Sequence, residues 1–99
     1  MVRHIVAWNY KAGFSEAENR ENAQKIKSEL ENLTRLIGGI VELTVQTQPL
    51  ASSGRAITLN SLFLNEQALQ AYQAHPEHKR VGVFVSAVTQ ERICLDYYE

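Results

Sequence analysis

The sequence predicts an α+β domain of the ferredoxin-like, split βαβ type, and three observations carry the prediction. Strand and helix patterns follow one another in the order β-α-β-β-α-β. A long amphipathic helix separates the first two strands. The first and last strands carry apolar residues on both faces, which a sheet with one wet face would not show.

The elements follow in order. Val2 to Tyr10 is rich in β-branched and aromatic residues and reads as the first strand. Lys11-Ala12-Gly13-Phe14 turns the chain, and Ser15 with Glu18 three residues later has the form of a capping box. The helix that follows places Ala23, Ile26, Leu30, Leu33 and Ile37 at steps of three and four. Its other side is solvated, with Glu21 and Lys25, and Lys27 and Glu31, set four apart. Gly38-Gly39 ends it.

Ile40 to Gln46 is the second strand, Gln48 to Gly54 a polar loop, and Ala56 to Leu64 the third strand. Asn65 caps a short helix through Ala74. The His75-Pro76 step interrupts it, because proline lacks a backbone donor and clashes with the preceding turn. A separate helical piece begins near Glu77 and presents Val81, Phe84, Val85 and Val88; Gln90 to Tyr98 is the last strand.

This order predicts an antiparallel sheet with strand order 4-1-3-2 and both helices on one face. Val6, Trp8 and Tyr10 share one face of the first strand and Ile5 and Ala7 the other. Ile93, Leu95 and Tyr97 share one face of the last strand, Cys94 and Tyr98 the other. Helices can cover one side only. The other is expected to close on the sheet of a second copy, giving a homodimeric α/β barrel with Ile5, Leu62, Ile93 and Leu95 inside. A chain of 99 residues gains from such pairing, since small domains bury a smaller share of their surface.

Ten Lys and Arg stand against 11 Asp and Glu, a formal charge of −1. That balance offers no electrostatic footprint for nucleic acid or an anionic membrane. No apolar run reaches the length of a membrane span, and the opening Met1-Val2-Arg3-His4-Ile5 does not read as a signal peptide. The single cysteine, Cys94, has no internal partner, which fits a reducing compartment. The expectation is one soluble cytoplasmic domain over residues 1–99.

Functional chemistry concentrates in Tyr72-Gln73-Ala74-His75-Pro76-Glu77-His78. His78 is a candidate general base and Tyr72 a candidate donor to a carbonyl oxygen. The plain alternative is a ring that satisfies backbone groups at a helix restart. His75 precedes proline and serves the turn. His75 and His78 have a metal-like spacing, but no Cys or carboxylate pattern completes a site, so no metal is expected. His4 and Asp96 fall opposite each other if the end strands pair, and a carboxylate there orients the imidazole. From the same face Asp96 could reach His78; the alternative is a structural contact at the sheet edge. Trp8 opposite Arg92 is a candidate cation–π pair. Cys94, between Ile93 and Leu95, reads as a small buried residue.

The opening Val2-Arg3-His4-Ile5-Val6, the segment Ala71 to His78 with Val81 after it, and the ending Leu95-Asp96-Tyr97 resemble the stress-responsive dimeric α/β-barrel (Dabb) domain. The resemblance covers nearly the whole chain. It implies a ferredoxin-like protomer paired through its sheet, in a family many of whose members have no assigned activity and some of whose plant members are stress-responsive or antimicrobial. One member class, the plant olivetolic acid cyclase, implies a cofactor-independent aldol condensation by a tyrosine and a histidine, and Tyr72 and His78 are similar in position to that pair. Ile57 stands where that enzyme has a further pocket histidine, and Trp8 where a smaller aliphatic would leave room. On this resemblance His78 and Tyr72 are the expected catalytic residues. His4, Val6, Trp8, Ile57, Leu59 and Asp96 are the expected small-molecule contacts between sheet and helices. Trp8 beside Asn9 is also similar to cofactor-free monooxygenases on the related barrel, a likeness of fold alone.

Overall fold

In the computed structural model, which describes residues 1–99, the elements run β1 (Val2–Tyr10), α1 (Glu16–Leu36), β2 (Ile40–Gln46), β3 (Ile57–Phe63), α2 (Glu66–Ala74), α3 (Pro76–Val88) and β4 (Thr89–Tyr98). The strands form one antiparallel sheet in the order β2-β3-β1-β4, the expected order read from the other edge.

α1 starts on the reciprocal cap its sequence encodes. The Ser15 hydroxyl accepts from the Glu18 N–H at 3.1 Å, and the Glu18 carboxylate accepts from the Ser15 N–H at 2.8 Å. Ala23, Ile26, Leu30 and Leu33 are buried along the helix and Ile37 at its C-cap. The chain then turns at Gly39, whose φ is 86° and whose missing Cβ would lie 2.7 Å from the Cβ of Ala68 on α2. Glycine is needed there both for the backbone conformation and for the close approach.

Pro76 divides the second helical segment. His75 serves both halves: its N–H donates to the Tyr72 carbonyl at 3.2 Å, and its Nδ1 accepts from the Glu77 N–H at 3.1 Å, capping α3. Pro76 takes the first helical position, where its lack of an N–H costs nothing, so α3 starts there and not at Glu77.

The even-numbered residues of β1 face the helices. Val2, His4, Val6 and Trp8 are buried with Ile57, Leu59, Ser61 and Phe63 of β3 and Leu43 and Val45 of β2. The opposite face carries Ile5, Leu62, Ile93, Leu95 and Tyr97, together with Arg3, which bridges Glu42, Asn60 and Glu99. β4 is an edge strand, exposed at every residue after Thr89. Its pairing with β1 is interrupted by a bulge between Ala7 and Asn9, where Glu91 adopts φ 57°. That conformation costs a non-glycine residue about 1–2 kcal/mol. It is held by Arg55, whose Nε donates to the Glu91 carbonyl at 2.8 Å, and by Asn9, whose amide donates to the Glu91 carboxylate at 3.4 Å. No helix is long and apolar enough to cross a membrane.

Candidate active site

The break at Pro76 puts Tyr72, on the last turn of α2, and His78, on the first turn of α3, against each other with ring centroids 4.4 Å apart and planes tilted by 53°. Phe63 packs against Tyr72 with centroids 4.9 Å apart, and His4 from β1 meets it in a T-shaped arrangement at 6.3 Å. A cavity of about 180 Å³ lies beside this row of rings, between sheet and helices. Its wall includes His4, Val6, Trp8 and Leu59 as well as Tyr72 and His78. Ile57 is fully buried and outside the wall.

Two buried polar atoms of this site, the Tyr72 hydroxyl oxygen and His78 Nδ1, have no hydrogen-bond partner. Such orphans are rare because each costs about 1–3 kcal/mol. Burial pushes the Tyr72 phenol up to about 12, so it stays protonated at neutral pH and can donate. Burial pushes the His78 pKa below the ordinary histidine value; the Gln73 backbone opposes this, and the nearby His4 and Arg92 add to it. His78 is therefore a neutral imidazole at pH 7.

Strand register sets Asp96 opposite His4, and an Asp96 carboxylate oxygen bonds His4 Nδ1. The expected Asp96–His78 contact is absent: the carboxylate is taken by the imidazole directly across the ladder, and His78 Nδ1 stays free. Asp96 reaches the cavity only through His4. It lines a separate, more open groove of about 260 Å³ beside Glu66 and Tyr98. That groove holds neither orphan atom.

Cys94 corrects the sequence reading in a second way. It is exposed, because the outer side of an edge strand has no neighbour in the protomer. Its sulfur lies 3.8 Å from His4 Nδ1 and 3.5 Å from Asp96 Oδ2. Burial and then the Asp96 charge push its thiol pKa up, the opposite of an activated nucleophile. His4, Cys94 and Asp96 thus bring three metal-ligating side chains within 4.8 Å, a cluster hidden in the sequence by its long separation, although Asp96 already occupies His4 Nδ1.

Trp8 and Arg92 wall the same cavity without stacking; the cation–π contact of the molecule is Lys25 over Phe84 at 4.2 Å. The bulge at Glu91 takes Arg92 out of the simple register that would set it over Trp8. Asn9 does not join Trp8. Its side-chain oxygen accepts from the Ala56 N–H at 3.0 Å and its amide turns to Glu91, outside the cavity. The sequence reading did not place Leu30, Gly82, Val85, Ser86 or Arg92 in the cavity wall, and of these Arg92 alone is charged. The signal was present in its parity with Cys94 and Asp96 on β4.

Fold and cavity together define a ferredoxin-like α+β domain with a small pocket between sheet and helices, walled by apolar side chains together with His4, Tyr72, His78 and Arg92. The chain belongs to the stress responsive A/B barrel domain (Dabb) family, whose pattern it matches over residues 2–99. Among solved structures it is similar to a dimeric protein of unknown function from Bacteroides fragilis, at 26% identity over 99% of this chain and 95% of that one, with a TM-score of 0.91. The At3g17210 protein of Arabidopsis thaliana is 20% identical over 100% of this chain and 95% of that one, with a TM-score of 0.83. A hydroxynitrile lyase from Passiflora edulis is 19% identical over 97% and 90%, with a TM-score of 0.80. A search of curated proteins finds no match.

Proposed function

We propose that this domain binds a small carbonyl compound in the cavity beside Tyr72 and transfers a proton at the carbon next to the carbonyl, without a cofactor. His78 is the base and Tyr72 the donor to the carbonyl oxygen. The observation that carries the reading is the pair of unpartnered buried atoms, the Tyr72 hydroxyl and His78 Nδ1, on rings 4.4 Å apart at one cavity. A fold that keeps two such orphans side by side forgoes stability that a ligand can restore.

The opposite environments of the pair support a division of labour. Neutral His78 takes the proton from carbon, the electron pair moves onto the carbonyl oxygen, and the Tyr72 O–H stabilises the charge that develops there. Return of the proton to another atom completes an isomerisation; attack of the enolate on a second carbonyl completes a cyclisation. His4, oriented by Asp96, packs on Tyr72 in a T-shaped arrangement and positions it. The cavity volume of about 180 Å³ sets the scale of the substrate. A cavity of about 150 Å³ accepts benzene, so a long linear polyketide is too large.

The same reading includes a homodimer formed sheet to sheet. Ile93, Leu95 and Tyr97 stand 42%, 56% and 48% exposed on the face away from the helices, and the relative from Bacteroides fragilis is described as dimeric. An obligate interface of this kind buries about 2,000 Å² or more. A cytoplasmic setting suits the lone thiol of Cys94.

A crystal structure with 2-oxobutanamide tests the binding mode. The expected result is a carbonyl oxygen within hydrogen-bond distance of the Tyr72 hydroxyl and the adjoining CH₂ turned to His78. A probe seated in the groove beside Glu66 and Tyr98 would overturn the assignment.

A further inference from the structure

We propose that the ligands of this cavity are small oxo acids and that Arg92 recognises their carboxylate, an inference that rests on the carbonyl-binding reading of the same cavity. Arg92 lines the cavity together with His4, Tyr72 and His78. No carboxylate does: Asp96 is outside the wall and bonded to His4. The formally charged side chain in the cavity wall is therefore a cation.

Arg92 is also not tied to an acid; its side-chain neighbour on β4 is the Cys94 thiol, whose pKa it pulls down against the larger upward pushes. Arg3, Arg20 and Arg80 form ion pairs with glutamates, and Arg55 donates to backbone carbonyls. Arg35 is also without an acid, but it stands exposed on the last turn of α1 and lines no cavity. Arg92 has no carboxylate partner anywhere in the chain. A guanidinium presents parallel donors matched to a carboxylate, and such pairs are the stronger class of hydrogen bond.

Its position is specifically built. Arg92 directly follows Glu91, the one non-glycine residue with positive φ, at the bulge that interrupts the β1–β4 ladder. Bulges re-aim side chains beside sites, and strained backbone persists where its surroundings enforce it, as Arg55 and Asn9 do here. The second pointer to a ligand is independent of Arg92. The Tyr72 hydroxyl, on a residue 0% exposed, has no partner. An oxo acid answers both features, with its carboxylate on Arg92 and its carbonyl on Tyr72. The volume admits about six to ten non-hydrogen atoms by comparison with benzene-sized cavities. A single cation and a largely apolar wall favour a monoanionic carboxylate over a phosphate group, which carries more charge and draws more donors.

Trp8 is the only tryptophan and stands in the cavity wall, so its fluorescence reports occupancy. The probes are 2-oxobutanoate and 2-oxobutanamide, equal in shape and different in charge. The acid is expected to bind the wild-type protein at least about tenfold more tightly than the amide, as a charge-assisted pair should. In Arg92→Leu the two probes should bind alike, and Arg92→Lys should restore part of the preference. Arg92 is exposed, so the thermal transition of both variants should stay close to that of the wild type. Equal binding of acid and amide by the wild type would overturn the inference. So would no binding of the acid at tens of millimolar, displacement by inorganic phosphate at lower concentration than by the acid, or a preference that survives in Arg92→Leu. Proton exchange on the neutral amide needs His78 and Tyr72 but no carboxylate site. Exchange without acid preference overturns only the role of Arg92, and acid preference without exchange overturns only the proton transfer.

Discussion

Replacing Tyr72 with phenylalanine removes one oxygen atom and should make the ligand-free protein more stable while disabling its chemistry. The ring is fully buried and keeps its packing on Phe63 at 4.9 Å and on His78 at 4.4 Å in either residue. What is lost is a hydroxyl without a partner, and an unsatisfied buried donor costs about 1–3 kcal/mol. The adjoining cavity admits water, which places the gain at the low end, about 1 kcal/mol. For a domain of this size that is a rise in Tm of about 4–8 °C. The assay is thermal and urea denaturation of wild type and Tyr72→Phe at one fixed protein concentration, since an oligomer's Tm depends on concentration. Activity should move the other way, falling about 10²–10³-fold, as when one donor to a developing oxyanion is removed. A loss of 1 kcal/mol or more in the variant would refute the reasoning, because it would mean that the hydroxyl is bonded within the protein and is not reserved for a ligand.

Three further outcomes are expected. The His78 pKa lies below that of the unfolded chain, so the unfolded state takes up its proton first as pH falls; the neutral ring's contribution is present above about pH 6.5 and is lost as pH drops through the folded-state pKa. The urea midpoint of the wild type should therefore fall more steeply from pH 7 to 5 than that of His78→Gln, and parallel curves would show that His78 is not held neutral by burial. Leu95→Asp puts a charge on a residue 56% exposed in the protomer, so sedimentation should report a folded monomer in place of a dimer; a persistent dimer would contradict the sheet-to-sheet arrangement. Gly39→Ala should cost about 1–3 kcal/mol by urea denaturation, from the positive φ and the contact at 2.7 Å with Ala68. Adding Ala68→Gly should recover the contact part and leave the backbone part, and a neutral Gly39→Ala would mean that the turn is built differently.

The order of elements, the capping box at Ser15 and Glu18 and the break at Pro76 were legible because each is a local pattern with one physical outcome. The register that faces His4 with Asp96 was legible too, since antiparallel pairing of the end strands leaves little choice. The site was legible only in part. Alternation shows which face a residue takes but not which neighbour it meets, so Asp96 was free to be assigned to either histidine. The bulge at Glu91 is a one-residue event on an unremarkable glutamate, and it decides where Arg92 sits relative to Trp8. Cys94 looked buried because its neighbours are apolar, yet burial of an edge strand depends on what lies beyond the edge. Whether Ile57 meets the cavity depends on how the helices pack over β3, which no spacing encodes.

Deuterium exchange at the C3 protons of 2-oxobutanamide, followed by proton NMR in D₂O, tests the central claim most directly. The probe is neutral, so the outcome depends on the Tyr72–His78 pair and not on charge recognition. The wild-type protein should exchange these protons well above the buffer rate, with a rate that falls as pH drops through the lowered His78 pKa. His78→Gln should reduce the enzymatic exchange about 10²–10⁴-fold while keeping the cooperative unfolding of the wild type. Exchange that is no faster than buffer, or equal in wild type and His78→Gln, would contradict the account.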